Sequence, residues 1–331
     1  MKTQAAVAFN ANDPFSIEEV KLANPVEGQV RVKISACGIC RSDLSALEGK
    51  ETIQFPVVLG HEATGNIDAV GPGVSGLTEG DEVILSWTPE CGSCPACCRG
   101  EVHLCHGINM TTGGEGPLSM GDTRLDRFMG LGAFCEHVVV PQAMAIPLNT
   151  SLPPEHSCLI GCGVTTGFGA AVNTAAIRWG ESVAVLGCGG VGLAAIQGAR
   201  IAGAARIIAI DPIEERRNAA LQVGATDAFS PQNIVKAVMN LTGTGVDCAI
   251  ECVGSIPTMQ DAFNMTREGG RTIVVGLPGY TEMLDIPAIM LLREKKLTGS
   301  IYGSASPHVD FPKIAALGET GRLDFASLVD K

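Results

Sequence analysis

From about residue 165 the chain alternates short apolar runs with helical patterns: SVAVLG, VGLAAIQGARIAG, RIIAID, EERRNAALQVG, DAFS, NIVKAVMN, VDCAIECVG, PTMQDAFNMTREGG, RTIVVGL and LTGSIYGS. A strand followed by a crossover helix re-enters the sheet parallel to its predecessor, and crossovers of this kind keep one hand. Six such strands with intervening helices predict an α/β domain with a doubly wound parallel sheet. No other feature of the sequence narrows the fold as far.

The first turn of that alternation is Gly187-Cys188-Gly189-Gly190-Val191-Gly192, a G-x-G-x-x-G that closes an apolar strand and opens a helix. Gly187 permits the tight turn, Gly189 lets the backbone approach a pyrophosphate, and Gly192 lets helix and sheet pack closely. With Gly190 and Val191 the turn then presents free N–H groups and a positive dipole end to phosphate oxygens. The next strand ends in Asp211, nineteen residues past the last glycine. Its carboxylate suits the hydroxyls of an adenosine ribose and repels a 2′-phosphate, which favours NAD over NADP. A helix N-cap ahead of Pro212 is a compatible second role. Arg216 either reaches the ribose and adenine side or belongs to a solvated helix face.

Before residue 150 the texture differs. VRVKISACGIC, FPVVLGHEATGNIDAVGPG, DEVILSW and AFCEHVVVP are period-two or fully apolar runs cut by Gly and Pro, which predict a β-rich domain. A loop is expected from Gly107 to Gly132. The 331 residues exceed one ordinary core, so two domains are expected, meeting near 161–169. A formal charge of −12 without a basic stripe argues against nucleic acid and anionic membranes as partners. No apolar run is long enough to span a bilayer, and MKTQAAVAFN is not a signal peptide, so a cytoplasmic protein is expected.

The thirteen cysteines are therefore read in a reducing compartment, where structural disulfides are rare. Five of them fall within ECGSCPACCRGEVHLCH, residues 90–106. Cys91, Cys94, Cys97 and Cys105 are spaced C-x2-C-x2-C-x7-C with Gly92, Pro95 and Gly100 to bend the chain, which suits a closed, structural tetrahedral Zn²⁺. Backbone N–H groups, with Arg99, would offset its charge. An iron–sulfur cluster and a redox switch are the competing readings. Cys98 is left over. A dispersed set, Cys40 in CGICRSD, His61 in GHE and Cys162 in GCGVTTG, has the donor types of an open catalytic zinc, although spacing alone does not join the three.

Taken in order, CGICRSD, GHEATG with VGPGV after it, the four-cysteine lobe, GCGVTTGFGAAV and GCGGVG…AID resemble the zinc-dependent medium-chain alcohol dehydrogenases over essentially the whole chain. The resemblance is to the class III-like and aryl-alcohol branch. It implies a GroES-like catalytic domain at 1–162, a Rossmann domain at 163–301 and, at 302–331, the start of a return to the catalytic domain that ends earlier than in the family. It makes Cys40, His61 and Cys162 ligands of a catalytic zinc, Glu62 a carboxylate behind or on the metal, and Asp43 the acceptor for the other ring N–H of His61. Arg41 is implied at the pyrophosphate and Thr166 against the nicotinamide. For these, the plainer alternatives are a surface salt bridge for Glu62, an ordinary exposed cation for Arg41 and a helix cap for Thr166. Val253 and Val275 are weaker candidates for cofactor contact.

The implied reaction is hydride transfer between a primary or aromatic alcohol and NAD, with two zinc ions per chain. Zinc lowers the pKa of bound water from 15.7 to about 7, a pull worth roughly 11 kcal/mol that an alcohol should share. Ser42 would take the alcohol proton, unless it is only a turn residue. The family's usual histidine three residues later is Ser45 here, so the remaining relay runs through Ser45 and water or directly to solvent. A dehydrogenase of thiol–formaldehyde adducts is the alternative substrate reading. Against it, Lys50 and Thr52 stand where the glutathione-adduct branch is acidic, and Glu48 and Glu51 are out of register. A non-catalytic NAD- and zinc-binding relative is the rival of another class. A homodimer or homotetramer is implied, with LTGSIYGS as a pairing strand.

Overall fold

The structure, a computed structural model, describes residues 1–51, 53–106 and 116–329. It divides into two units, Met1–Cys162 with Ser306–Thr320, and Gly163–Ala305 with the segment from Gly321.

The first unit holds a five-stranded antiparallel sheet of β1 (Gln29–Gly38), β2 (Glu62–Val70), β3 (Glu82–Leu85), β4 (His137–Pro141) and β5 (Ala145–Pro147), in the order β4-β1-β2-β3-β5. Alternation sets its inner face: Val30 and Val32 of β1 are buried, while Arg31 between them and Lys33 after them turn outward. A second sheet, built on the antiparallel pair Lys2–Ala8 and Ser16–Leu22, contributes Val7, Val20 and Leu22 to the same core. Part of the stretch expected as a loop has structure. Leu118–Met120, Thr123–Arg124 and Asp126–Arg127 are short strands of that second sheet, because Leu118, Leu125 and Phe128 are apolar enough to be buried under it. Residues 107–115 of the stretch lie outside the described residues. Helix α1 (Arg41–Leu47) follows β1 at once, and the Asp43 carboxylate accepts from the backbone N–H of Cys40 at 3.0 Å, closing its first turn.

The second unit is the parallel sheet. Strands β6 (Ser182–Leu186), β7 (Arg206–Ile210), β8 (Asp227–Phe229), β9 (Val246–Glu251), β10 (Thr266–Val274) and β11 (Lys296–Gly299) run β8-β7-β6-β9-β10-β11, all pairs parallel. Val183, Val185, Ile207 and Ala209 face one core; Ala184, Leu186, Ile208 and Ile210 face the other. Burial on both faces explains why these strands read as unbroken apolar runs. The helices are α2 (Gly163–Gly169), α3 (Gly190–Ile201), α4 (Glu214–Val223), α5 (Ile234–Thr242) and α6 (Ile256–Met265). Strand order reverses between β6 and β9, and such a switch point opens a crevice at the carboxyl ends of the strands.

Three boundaries differ from the sequence reading. Helix α6 stops at Met265 and TREGG already belongs to β10; the Thr266 hydroxyl turns back to the Ala262 carbonyl at 2.7 Å while its backbone enters the sheet. Strand β11 ends at Gly299, because Tyr302, Gly303 and Ser304 take φ values of 54°, 64° and 49° and curl the chain. The last thirty residues are not one returning segment. Helix α7 (Pro307–Glu319) joins the first unit, where the Thr150 hydroxyl and the Ser151 N–H each donate to Glu319 at 2.7 Å. From Gly321 the chain packs on the second unit: Leu323 and Phe325 are buried, and the Gln197 amide exchanges two hydrogen bonds with the Asp324 backbone. Among the described residues no helix is long and apolar enough to cross a membrane.

Candidate functional site

In the first unit, ligand atoms of Cys40, His61, Glu62 and Cys162 all lie within 4.8 Å of one another. Cys40 is the N-cap of α1, His61 immediately precedes β2 and Glu62 opens it, and Cys162 follows the 3-10 turn Cys158–Gly161. The buried Asp43 ties the first two segments together. Its Oδ2 accepts from Cys40 N, and its Oδ1 accepts from Gly60 N at 2.9 Å and lies 3.1 Å from His61 Nδ1. A carboxylate there fixes the proton on Nδ1 and leaves a lone pair on Nε2. That Nε2 is fully buried and has no partner among the described residues. An unpaired buried nitrogen costs roughly 1–3 kcal/mol, so its retention between two cysteine sulfurs needs a compensating ligand.

The protons of this cluster are shared. The Cys162 thiol, bonded to Cys40, pulls the Cys40 sulfur down to about 4 against the effect of burial, with His61 assisting. Cys162 is raised, first by that same bond and then by desolvation. Burial opposes charge on His61, yet the Asp43 carboxylate, which accepts from its ring, and the neighbouring Cys40 sulfur raise it to about 10. A divalent cation would replace these protons, and two sulfurs with one imidazole are zinc donors. Glu62 is only 4% exposed, so it is no surface ion pair. The half-buried Trp87 indole lowers Cys162 against the Cys40 bond and burial, an influence the sequence does not announce.

The cysteine lobe answers to a second tetrahedron. Cys91 and Cys97 sulfurs are 4.0 Å apart and those of Cys94 and Cys105 3.8 Å, with all thirteen cysteines unbridged. Tetrahedral Zn–S bonds of about 2.3 Å require S···S edges of about 3.8 Å. Backbone N–H groups aim at the sulfurs: Cys94 N to Cys91 Sγ at 3.2 Å, Cys91 N to Cys105 Sγ at 3.4 Å and Cys97 N to Cys94 Sγ at 3.5 Å. Such bonds lower Cys91, and lower Cys94 to about 6. The charge compensation expected of Arg99 is largely taken by Glu101, which its guanidinium grips at 2.7 and 3.0 Å. Cys98 stands outside the set, exposed, with its thiol towards the Ser93 carbonyl.

In the second unit the glycines divide by role. Gly187 has φ +88°, in the left-handed region. A Cβ on Gly192 would sit 1.8 Å from the Gly187 carbonyl oxygen, whereas Gly189 and Gly190 face open space. Val191, half-buried on α3, lends its carbonyl to another close approach, since a Cβ on Gly167 of α2 would lie 2.0 Å from it. Asp211 is buried, accepting from Cys188 N at 2.8 Å and Ile213 N at 2.9 Å, so it braces the glycine turn against the end of β7. Arg216 is half-exposed with its guanidinium 4.0 Å from that carboxylate. Thr166 lies inside α2, which begins at Gly163, so it does not cap the helix. Arg41 is exposed at the first position of α1, and the Ser42 hydroxyl is 3.8 Å from the Cys40 sulfur. A missed residue is Glu251, buried at the end of β9, although a charge closing the apolar run VDCAIE was a visible signal.

A family model described as alcohol dehydrogenase GroES-like domain matches residues 26–150, and one described as zinc-binding dehydrogenase matches residues 190–319. The chain is 38% identical to S-(hydroxymethyl)glutathione dehydrogenase of Synechocystis sp., over 99% of this chain and 92% of that protein. It is also 38% identical to NDMA-dependent alcohol dehydrogenase of Amycolatopsis methanolica, over 100% and 92%. Among solved structures, benzyl alcohol dehydrogenase from Acinetobacter calcoaceticus aligns with a TM-score of 0.93 at 31% identity, covering 100% of this chain and 92% of that one. Two zinc-type donor sets, a dinucleotide turn and likeness along nearly the whole length lead to one conclusion: the chain belongs to the zinc-dependent medium-chain alcohol dehydrogenases, oxidoreductases that join a GroES-like domain to a zinc-binding dehydrogenase domain.

Proposed function

We propose that the enzyme oxidises a primary or aromatic alcohol to its aldehyde with NAD as hydride acceptor, and carries two zinc ions per chain. The observation that carries this reading is the buried, unpartnered Nε2 of His61 among the Cys40 and Cys162 sulfurs. Those three residues would hold the catalytic ion with Glu62 beside them, and Cys91, Cys94, Cys97 and Cys105 the structural one. Zinc at the first site supplies Lewis acidity to a substrate hydroxyl, and the dinucleotide supplies the hydride acceptor. Asp43 holds the His61 ring in one tautomer and orientation. Ser42, one residue into α1, receives the proton at its hydroxyl; Ser45 lies three residues on, along the same helix face, and leads it to water. Arg41 supplies an exposed cation for the pyrophosphate and Thr166 lies on α2 for the nicotinamide side. The braced Asp211 favours NAD, with Arg216 beside it. Two chains would pair through the free edge of β11.

A second reading, oxidation of a thiol–formaldehyde adduct, is supported by the name of the Synechocystis relative. It is disfavoured by Lys50, which neutralises Glu48 at 2.6 Å; Thr52 lies outside the described residues. Metal analysis of purified protein, followed by NADH formation with benzyl alcohol, short primary alcohols and S-hydroxymethylglutathione, tests both. Two zincs and faster turnover of benzyl alcohol are expected. Faster turnover of the adduct would select the second reading, and inactivity of the two-zinc protein towards all of them would leave the non-catalytic binder.

A further inference from the structure

Glu251 closes β9 and is fully buried, yet it accepts five hydrogen bonds at the carboxyl edge of the sheet. Its Oε1 accepts from Val253 N at 2.8 Å, Gly254 N at 2.9 Å and the Thr258 hydroxyl at 2.7 Å. Its main-chain carbonyl accepts from Val275 N at 2.8 Å and Gly276 N at 3.0 Å. One residue thereby shapes both the turn after β9 and the turn after β10. The two turns interlock without side chains: a Cβ on Gly276 would lie 2.1 Å from Gly254 N, and one on Gly254 2.5 Å from the Leu277 carbonyl. Oε2 is buried and has no partner among the described residues. A buried carboxylate oxygen left unpaired is costly, and a fold that only needed a closed turn would not require it.

Position explains the use. The crevice of a doubly wound sheet opens where strand order reverses, here between β6 and β9. The glycine turn after β6 forms one wall and Asp211, after β7, lies beyond it. The adenosine half of a dinucleotide therefore falls on the β7 side and its other half on the β9 side. Val253, which the clamp holds, is 52% exposed there, and its Cγ2 would lie 2.8 Å from a Cβ on Gly187. We infer that Glu251 is a positioning residue for the non-adenosine half of the dinucleotide, acting through the clamped Val253–Gly254 turn. The inference rests on the proposed binding of NAD at this edge.

The test titrates NAD⁺ and AMP separately onto zinc-replete wild type, Glu251→Ala and Glu251→Gln, with melting temperature and zinc content measured alongside. AMP probes the adenosine side only. Glu251→Ala should weaken NAD⁺ at least tenfold and AMP less than twofold, and Glu251→Gln, which keeps the accepting oxygen, should return NAD⁺ to within about threefold of wild type. Unchanged NAD⁺ affinity, or equal losses for NAD⁺ and AMP, would overturn the assignment and leave Glu251 a stabilising residue alone. If Glu251→Ala does not fold, Thr258→Val removes one donor from the same oxygen and should show the same selective loss at about threefold. Wild type that binds neither probe would refute the dinucleotide reading itself, and this inference with it.

Discussion

Asp43 ties the start of α1 to the Gly60–His61 segment, and each of its oxygens has a defined task. Outer carboxylates behind a ligating histidine are typically worth 10–100-fold in metal affinity. Asp43→Ala should therefore lose the zinc of the Cys40–His61–Cys162 set on dialysis against a mild chelator and keep the lobe zinc, giving one ion per chain where wild type keeps two. Asp43→Asn is the finer probe. An amide oxygen can still accept from Gly60 N and His61 Nδ1, but the amide NH₂ would then face the Cys40 N–H, donor to donor. It should fall between wild type and alanine in both zinc retention and kcat/KM. Equal zinc retention in all three proteins would count against the role. At this scale the sequence showed which residue types could bind metal. It could not show convergence: Cys40 and Cys162 are 122 positions apart, and only a folded backbone brings their sulfurs to one histidine nitrogen. Trp87 was invisible for the same reason, being one aromatic at the end of an ordinary strand.

The turn from β6 into α3 was legible because its requirements are backbone requirements, which glycine alone reveals. Gly192 has no room for a methyl group, while Gly189 has open space and a φ of −77° that any residue adopts. The two should fail differently. Gly192→Ala must push α3 away from the Gly187 carbonyl, at a cost of about 1–3 kcal/mol, and should lower the melting temperature and NAD⁺ affinity together. Gly189→Ala should melt like wild type yet lose at least tenfold in NAD⁺ affinity, because its methyl group enters the space a phosphate needs. A stable Gly189→Ala with unimpaired binding would place the pyrophosphate elsewhere. Element ends were less legible than elements. PTMQDAFNMTREGG reads as one helix by composition, and its division at Met265 depends on β9, whose partner strand must begin at Thr266. The short strands between Leu118 and Arg127 likewise exist only because another sheet offers an edge and a core.

For the whole molecule the open question is what covers the β11 edge. Lys296, Thr298 and Gly299 are exposed along a strand that, among the described residues, pairs with β10 alone, so a row of backbone donors and acceptors faces outward. Ile289, Leu291 and Leu292, just before it in the chain, and Ile301, just after it, are exposed. Apolar side chains grouped beside an unpaired edge mark an interaction surface or an aggregation hazard, and a formal charge of −12 opposes random association. A twofold axis through the edge satisfies both strands at once, since a strand paired with its own copy about such an axis runs antiparallel and presents the same residues from each side. Wild type should therefore have twice the chain mass by light scattering in solution. Leu292→Glu would bring two like charges to the apolar border, and Gly299→Pro would remove an outward-facing backbone donor, since by alternation with Ser300 the N–H of Thr298 is turned to β10, so both should shift the protein towards monomer. All the proposed zinc ligands belong to the first unit, so the monomers should still hold two ions per chain. A wild-type monomer, or variants that remain dimeric, would show that this edge is not the pairing surface.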